Sequence, residues 1–88
     1  MPEFVAEQYF SRTDVAGARR AGTAARDAAE QLTREGNEIE LVRSIFVPQD
    51  DSTFYLFQSP SADAVREAMT RAGLGSDRIT EAFSIEPA

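Results

Sequence analysis

From Glu3 to Phe10 apolar and polar positions alternate, with Phe4, Ala6 and Phe10 on one face and Val5, Glu7 and Tyr9 on the other. A period of two predicts a strand. The pattern then changes: Val15, Ala18, Ala21, Ala25, Ala28 and Leu32 recur at spacings of three and four, which places them on one helical stripe. Ser11 and Thr13 supply capping hydroxyls, Asp14 sits in the first turn where the helix dipole favours an anion, and Gly36 ends the segment. Because the stripe is mostly alanine, this helix must lie close against whatever it covers.

Strand patterns return over residues 39 to 47 (IELVRSIFV) and 53 to 59 (TFYLFQS). The short polar turn from Pro48 to Ser52 makes them an antiparallel hairpin. Pro60 stops the pairing, and Ser61 is placed to cap a second helix with Val65, Ala68, Met69 and Ala72 on its apolar face. Gly73 closes that helix, with Leu74 placed to fold back on its last turn. Residues 78 to 86 (RITEAFSIE) alternate as a fourth strand carrying Ile79, Phe83 and Ile85.

Strand, helix, strand, strand, helix, strand is the split βαβ, or ferredoxin-like, order. It predicts an α+β fold: an antiparallel four-stranded sheet with both helices on one face and the first and third strands in the middle. No repeat, linker or low-complexity tract interrupts residues 1 to 88, which read as one domain. Apolar side chains fall on both faces of the sheet. In the second strand Ile39, Leu41, Ile45 and Val47 are expected to face one way, and Val42 and Phe46 the other. The third strand sets Phe54 and Leu56 against Tyr55 and Phe57. Two helices cover one face only, so a homodimer packing two sheets face to face, a dimeric α/β barrel, is the economical cover for the other.

The 88 residues include no histidine, cysteine, tryptophan or lysine. That excludes Ser-His-Asp and Cys-His catalysis, zinc fingers, CxxC redox pairs, iron-sulfur sites and histidine-ligated haem. Chemistry is left to carboxylates, Arg, Tyr, Ser, Thr and the backbone. The net charge is −6 and no segment has a basic excess, so neither nucleic acid nor a membrane surface is an expected partner. No apolar run approaches the ~18 to 20 residues of a membrane span. The opening residues, with Glu3 and Glu7, lack the features of a signal peptide, so a soluble cytoplasmic protein is expected.

Glu7 falls mid-strand in a central strand, between Val5 and Tyr9 on its face, and an ionised carboxylate there needs a partner. At about 4.8 Å per strand step, an inward-reaching Arg43 can approach it across Tyr55, with Glu81 arriving from the other side. The functional reading is a polar cluster of Glu7, Tyr9, Arg43, Tyr55 and Glu81 lining a pocket for a small ligand, or an oxygen-donor metal site on Glu7. The plainer and favoured reading is a satisfied ion pair that fixes the register of the sheet or dimer. Asp50 and Asp51 read as a solvated turn and not as half of a calcium loop. The Gly73, Gly75 and Ser76 stretch reads as a helix stop. Arg19, Arg20, Arg26 and Arg34, interleaved with Asp27, Glu30 and Glu35, read as a solvated mixed-charge helix face.

Several segments resemble a bacterial family of small ferredoxin-like proteins, mostly of unknown function, that includes dimeric nickel-binding proteins. They are Val42-Arg43-Ser44, the Asp50-Asp51 turn, Tyr55 to Pro60, Ala64-Val65-Arg66-Glu67, Arg71-Ala72-Gly73-Leu74 and Asp77-Arg78-Ile79, together with Met1-Pro2, Phe4-Val5 and Glu7 at the start. The resemblance implies the same fold, a dimer, and a divalent metal ion as the family's ligand. Family members often carry histidine where this chain has Arg43, cysteine where it has Tyr55 and histidine where it has Ala68, so only Glu7 of that set remains. Ni²⁺ prefers imidazole and thiolate, and Arg43 brings a fixed positive charge that repels a cation and invites an anion. The expected function is a small dimeric binding protein holding a metal ion or small ligand in a sheet pocket, with weak affinity for nickel. The alternative is an enzyme of cyclase, isomerase or cofactor-free oxygenase type, with Glu7 and Tyr55 as acid and base and Arg43 holding an anionic group. A pure interaction module is the third possibility.

Overall fold

β1 (Glu3–Tyr9), α1 (Val15–Arg34), β2 (Glu40–Val47), a 3-10 turn (Pro48–Asp50), β3 (Ser52–Gln58), α2 (Ala62–Arg71) and β4 (Arg78–Ala82) follow in chain order in the computed structural model, which describes residues 1–85. The strands pair antiparallel in the order β2-β3-β1-β4, the ferredoxin-like arrangement.

Local chemistry fixes the helix ends. Asp14 is itself the N-cap of α1: its Oδ1 accepts from the Gly17 N–H at 2.9 Å, while the hydroxyls of Ser11 and Thr13 bond each other at 3.0 Å. Gly36 (φ 98°) and Gly73 (φ 74°) take the left-handed conformation beyond the two helices. Each lets the chain turn back, so that Asn37 N–H reaches the Leu32 carbonyl and Leu74 N–H the Met69 carbonyl, both at 2.9 Å. At the start of α2, Ser61 Oγ accepts from the Ala64 N–H at 3.2 Å, as its position predicts.

The core lies between the helices and one face of the sheet. Ala18, Ala21, Ala25, Ala28 and Leu32 of α1, with Val65, Ala68 and Met69 of α2, bury Phe4, Ala6, Leu41, Tyr55 and Phe57. α1 runs against β2, and α2 against β4 and β1. The shortest dimension of the fold is 18 Å, room for one helix layer on one sheet at about 10 Å between layers.

Two features depart from simple alternation. In β2, Leu41 pairs with Phe57 and Arg43 with Leu56, so Val42 is an extra residue, a β-bulge. Beyond it every side chain changes face. Ile45 and Val47, expected beside Leu41, lie on the opposite side, and Ser44 and Phe46 take the helix side. β4 ends at Ala82 and not at residue 86. Its last pair is Glu3 with Ala82, and Pro2 beyond has no N–H to continue the ladder. The Glu3 carboxylate instead takes the Ser84 N–H at 2.9 Å and the Ser84 hydroxyl at 2.6 Å, the bond that holds the Glu3 carboxyl below its ordinary value. Phe83 and Ile85, predicted to be in the strand, lie outside it and are exposed, and residue 86 lies outside the described residues.

Two arginine clamps join distant segments. Asp51, in the left-handed conformation (φ 49°), accepts from the Arg12 backbone at 2.8 Å and its guanidinium at 3.0 Å, so the expected solvated turn is pinned to the β1–α1 loop. Arg71 binds both carboxylate oxygens of Glu35 at 2.7 and 2.9 Å and Glu67 at 2.8 Å, tying the end of α1 to α2. This contact holds the Glu35 carboxyl below its ordinary 4.5. A carboxyl with a depressed folded value adds stability above its unfolded value and loses that addition as pH falls through the folded one. Arg71→Met is therefore expected to be less stable than the parent near neutral pH and to converge on it as pH falls through the lowered Glu35 value, as urea midpoints across the acid range will show. Ala25, fully buried, lies where α1 meets the sheet. Ala25→Leu is expected to destabilise by about 1–3 kcal/mol in urea unfolding, since the stripe has no space for the added carbons.

Candidate functional site

Residues directly opposed across paired strands share a face of the sheet. The face away from the helices carries one row of Arg78, Glu7, Phe54 and Ile45, and a second of Thr80, Val5, Leu56 and Arg43. Tyr9, Ser52 and Val47 continue it at one end. No element of the described chain packs over these side chains, and Tyr9 is 68% and Ile45 47% exposed.

Glu7 finds its counter-charge directly across the β1–β4 pairing. Its Oε2 lies 2.7 Å from Arg78 Nε, with the Glu7 side chain 30% exposed. The loop before β4 locks this register, since Asp77 N–H donates to the Glu7 carbonyl at 2.8 Å and Asp77 Oδ2 accepts from the Tyr9 N–H at 2.9 Å. Arg43 stands on the same face, two strands away and two residues along. Strand geometry puts its Cα about 12 Å from that of Glu7, with Phe54 and Leu56 between.

Of the five side chains expected to cluster, the structure brings Glu7, Tyr9 and Arg43 to one face and sets Tyr55 and Glu81 on the other. The cause is pairing register: Phe54, not Tyr55, lies opposite Glu7, and Glu81 lies opposite Phe4. Tyr55 is fully buried, and its hydroxyl donates to Gln8 Oε1 at 3.0 Å. Burial pushes the phenol up; the nearby Thr53 hydroxyl tempers the shift, although the two do not meet in hydrogen-bond geometry. Glu81 is exposed at the edge of the sheet on the helix side. An acid and base pair of Glu7 and Tyr55 therefore does not assemble, because the sheet lies between them.

The counter-charge that sequence reasoning missed is Arg78. Its signal was the short stop after Gly73, which leaves Arg78 to open β4 antiparallel to the end of β1. The positions where the resemblance implies metal ligands are also divided. Tyr55 and Ala68 are sealed in the helix-side core, while Glu7 and Arg43 occupy the open face. Among the described residues no group of three or more His, Cys, Asp or Glu side chains could hold a metal ion. The open face thus offers apolar ground with the carboxylates of Glu3, Glu7 and Glu40 and the guanidiniums of Arg43 and Arg78, groups that supply charge and shape.

A family model described as nickel responsive protein SCO4226-like matches residues 4–82. The crystal structure of SCO4226 from Streptomyces coelicolor A3(2) aligns with a TM-score of 0.72 at 21% identity, covering 94% of this chain and 99% of that one. At that identity the likeness shows the fold. No curated protein matches. A match from Phe4 to Ala82, over nearly the whole ferredoxin-like unit, makes this chain a member of the SCO4226-like family of nickel responsive proteins.

Proposed function

We propose that this chain is a small, cytoplasmic, homodimeric binding protein in which two copies pack their open sheet faces together. Glu7, Tyr9 and Arg43 then line the chamber between the sheets, where a small ligand is held. The observation that carries this reading is the uncovered patch of Val5, Phe54, Leu56, Ile45 and Val47, all on the face without helices. A contiguous apolar face of this kind is costly to leave in water and is commonly covered by a symmetry mate. The Glu7–Arg78 pair fits such an interface, since a paired charge can be desolvated where a lone one cannot, and pairing it fixes the register.

The family's description implies nickel, and the donor set here does not fit it. There is no imidazole or thiolate anywhere in the sequence. The one carboxylate at a family ligand position is engaged by Arg78, and Arg43 adds a second cation to the same face. Ni²⁺ at such a site meets repulsion and a weak oxygen donor.

Sedimentation velocity at micromolar concentration is expected to give a dimer mass. Leu56→Asp, which places an unpaired charge at the centre of the face, should weaken association by at least about 100-fold. A parent protein that stays monomeric overturns the proposal. Calorimetric titration of untagged protein with NiCl₂ is expected to show no stoichiometric binding, and tight equimolar uptake would refute the exclusion of nickel.

A further inference from the structure

On the helix side of the sheet, away from the proposed dimer face, a recess of about 490 Å³ opens between α1 and the β2–β3 hairpin. Arg19, Thr23 and Arg26 of α1 form one wall, Ser44 and Phe46 of β2 the other, and Thr53 of β3 lies at its base. The spacing of Arg19, Gly22, Thr23 and Arg26 is that of a single helix face, so both guanidiniums are carried on the side of α1 turned to β2. Gly22 lets the helix come this close, since a Cβ there would stand 3.3 Å from Ser44 Oγ.

Three observations mark the recess as more than a surface groove. Its charge is wholly positive: no acidic side chain lines it, in a protein of net charge −6, and neither Arg19 nor Arg26 joins an ion pair among the described residues. Thr53, 1% exposed, carries a buried hydroxyl without a hydrogen-bond partner among the described residues. An orphaned hydroxyl of this kind calls for an explanation, because leaving it unmade costs stability that a valine would not. Beside the hydroxyl-bearing Thr23 and Ser44, the lining has an apolar part in Val15, Ala18 and Phe46, and the Phe46 ring packs edge-on against Phe10 at 6.1 Å between centroids.

The geometry points to a binding site for a small organic anion, a carboxylate or phosphate ester with an apolar body. Its charged group lies between Arg19 and Arg26, a polar atom gives the Thr53 hydroxyl its partner, and its apolar part rests on Val15, Ala18 and Phe46. Guanidinium forks suit carboxylate and phosphate oxygens, and the volume falls in the range of small-molecule pockets. The site lies within one chain and does not depend on the dimer.

Amide chemical-shift titration of the full chain with sodium octanoate separates this site from the open face. Saturable shifts are expected at Ala18, Gly22, Thr23 and Thr53, and shifts confined to Val5, Leu56 and Thr80 would overturn the proposal. Octanol should not bind, and equal binding by octanol removes the role of the charge. Inorganic phosphate distinguishes the sources of the anion. Weaker binding at the same amides supports an organic anion, whereas phosphate binding tighter than octanoate refutes the apolar subsite. No response to either probe refutes the site. The double variant R19Q/R26Q is expected to weaken octanoate binding at least about tenfold, the size of a lost charged hydrogen bond, and unchanged affinity overturns the assignment. Thr53→Val is expected to unfold at the same or a higher urea midpoint than the parent while binding octanoate about two- to tenfold less well. Undiminished binding in that variant takes the hydroxyl, and this floor, out of the site.

Discussion

The bulge at Val42 decides what each face of the sheet can do. Strand side chains alternate, so inserting one residue between Leu41 and Arg43 exchanges the faces of all that follow. Without it, Ile45 and Val47 would enter the core beside Leu41, and Ser44 and Phe46 would face outward. With it, Leu41 stays under the helices while Arg43, Ile45 and Val47 join Val5, Phe54 and Leu56 on the open side. The same exchange puts the small Ser44 beneath Gly22, which permits the close approach of α1, and sets Phe46 in the wall of the recess beside it. One extra residue thus makes both the apolar outer face and the lined groove behind it.

The division between faces also explains how this chain can belong to a nickel responsive family without that family's implied donors. Where the resemblance implies cysteine and histidine there are Tyr55 and Ala68, both part of a closed core. The tyrosine fills its space with a ring and satisfies its hydroxyl on Gln8, an arrangement complete without an ion. On the other face Glu7 is satisfied by Arg78. Glu7, Tyr55 and Ala68 each have a protein partner or a packing role, so the fold persists with a changed set of charges.

Much of this was legible in the chain. The alanine stripe of α1, the Ser61 cap, the glycine stops and the order of strands and helices all follow from short-range rules that tertiary packing did not override. What was not legible depended on pairing. Nothing local distinguishes Val42 as the extra residue in a run where every neighbour is strand-forming, and a single shift there moved Ile45 and Val47. Placing Tyr55 beside Glu7 required the register to be known to one residue, and a one-residue error transfers a side chain across the sheet. Arg78 was overlooked for the same reason. The arginines of α1 were read as a solvated face because a helix stripe shows which residues avoid the core, but not which of them overhang an edge strand.

The position of β1 in the sheet has a consequence for how the protein is made. β1 leaves the ribosome well before both its neighbours, β3 and β4, and its pair with β4 joins Glu3 to Ala82. Only the β2–β3 hairpin is local. Most of the ladder must therefore wait on long loop closures, which slows folding relative to a helical bundle of equal length. During synthesis β1, with Phe4 and Val5, stands unpaired until β3 has emerged and keeps one open edge until β4 follows, so the nascent protein carries a sticky segment that only its last strand can fully shelter.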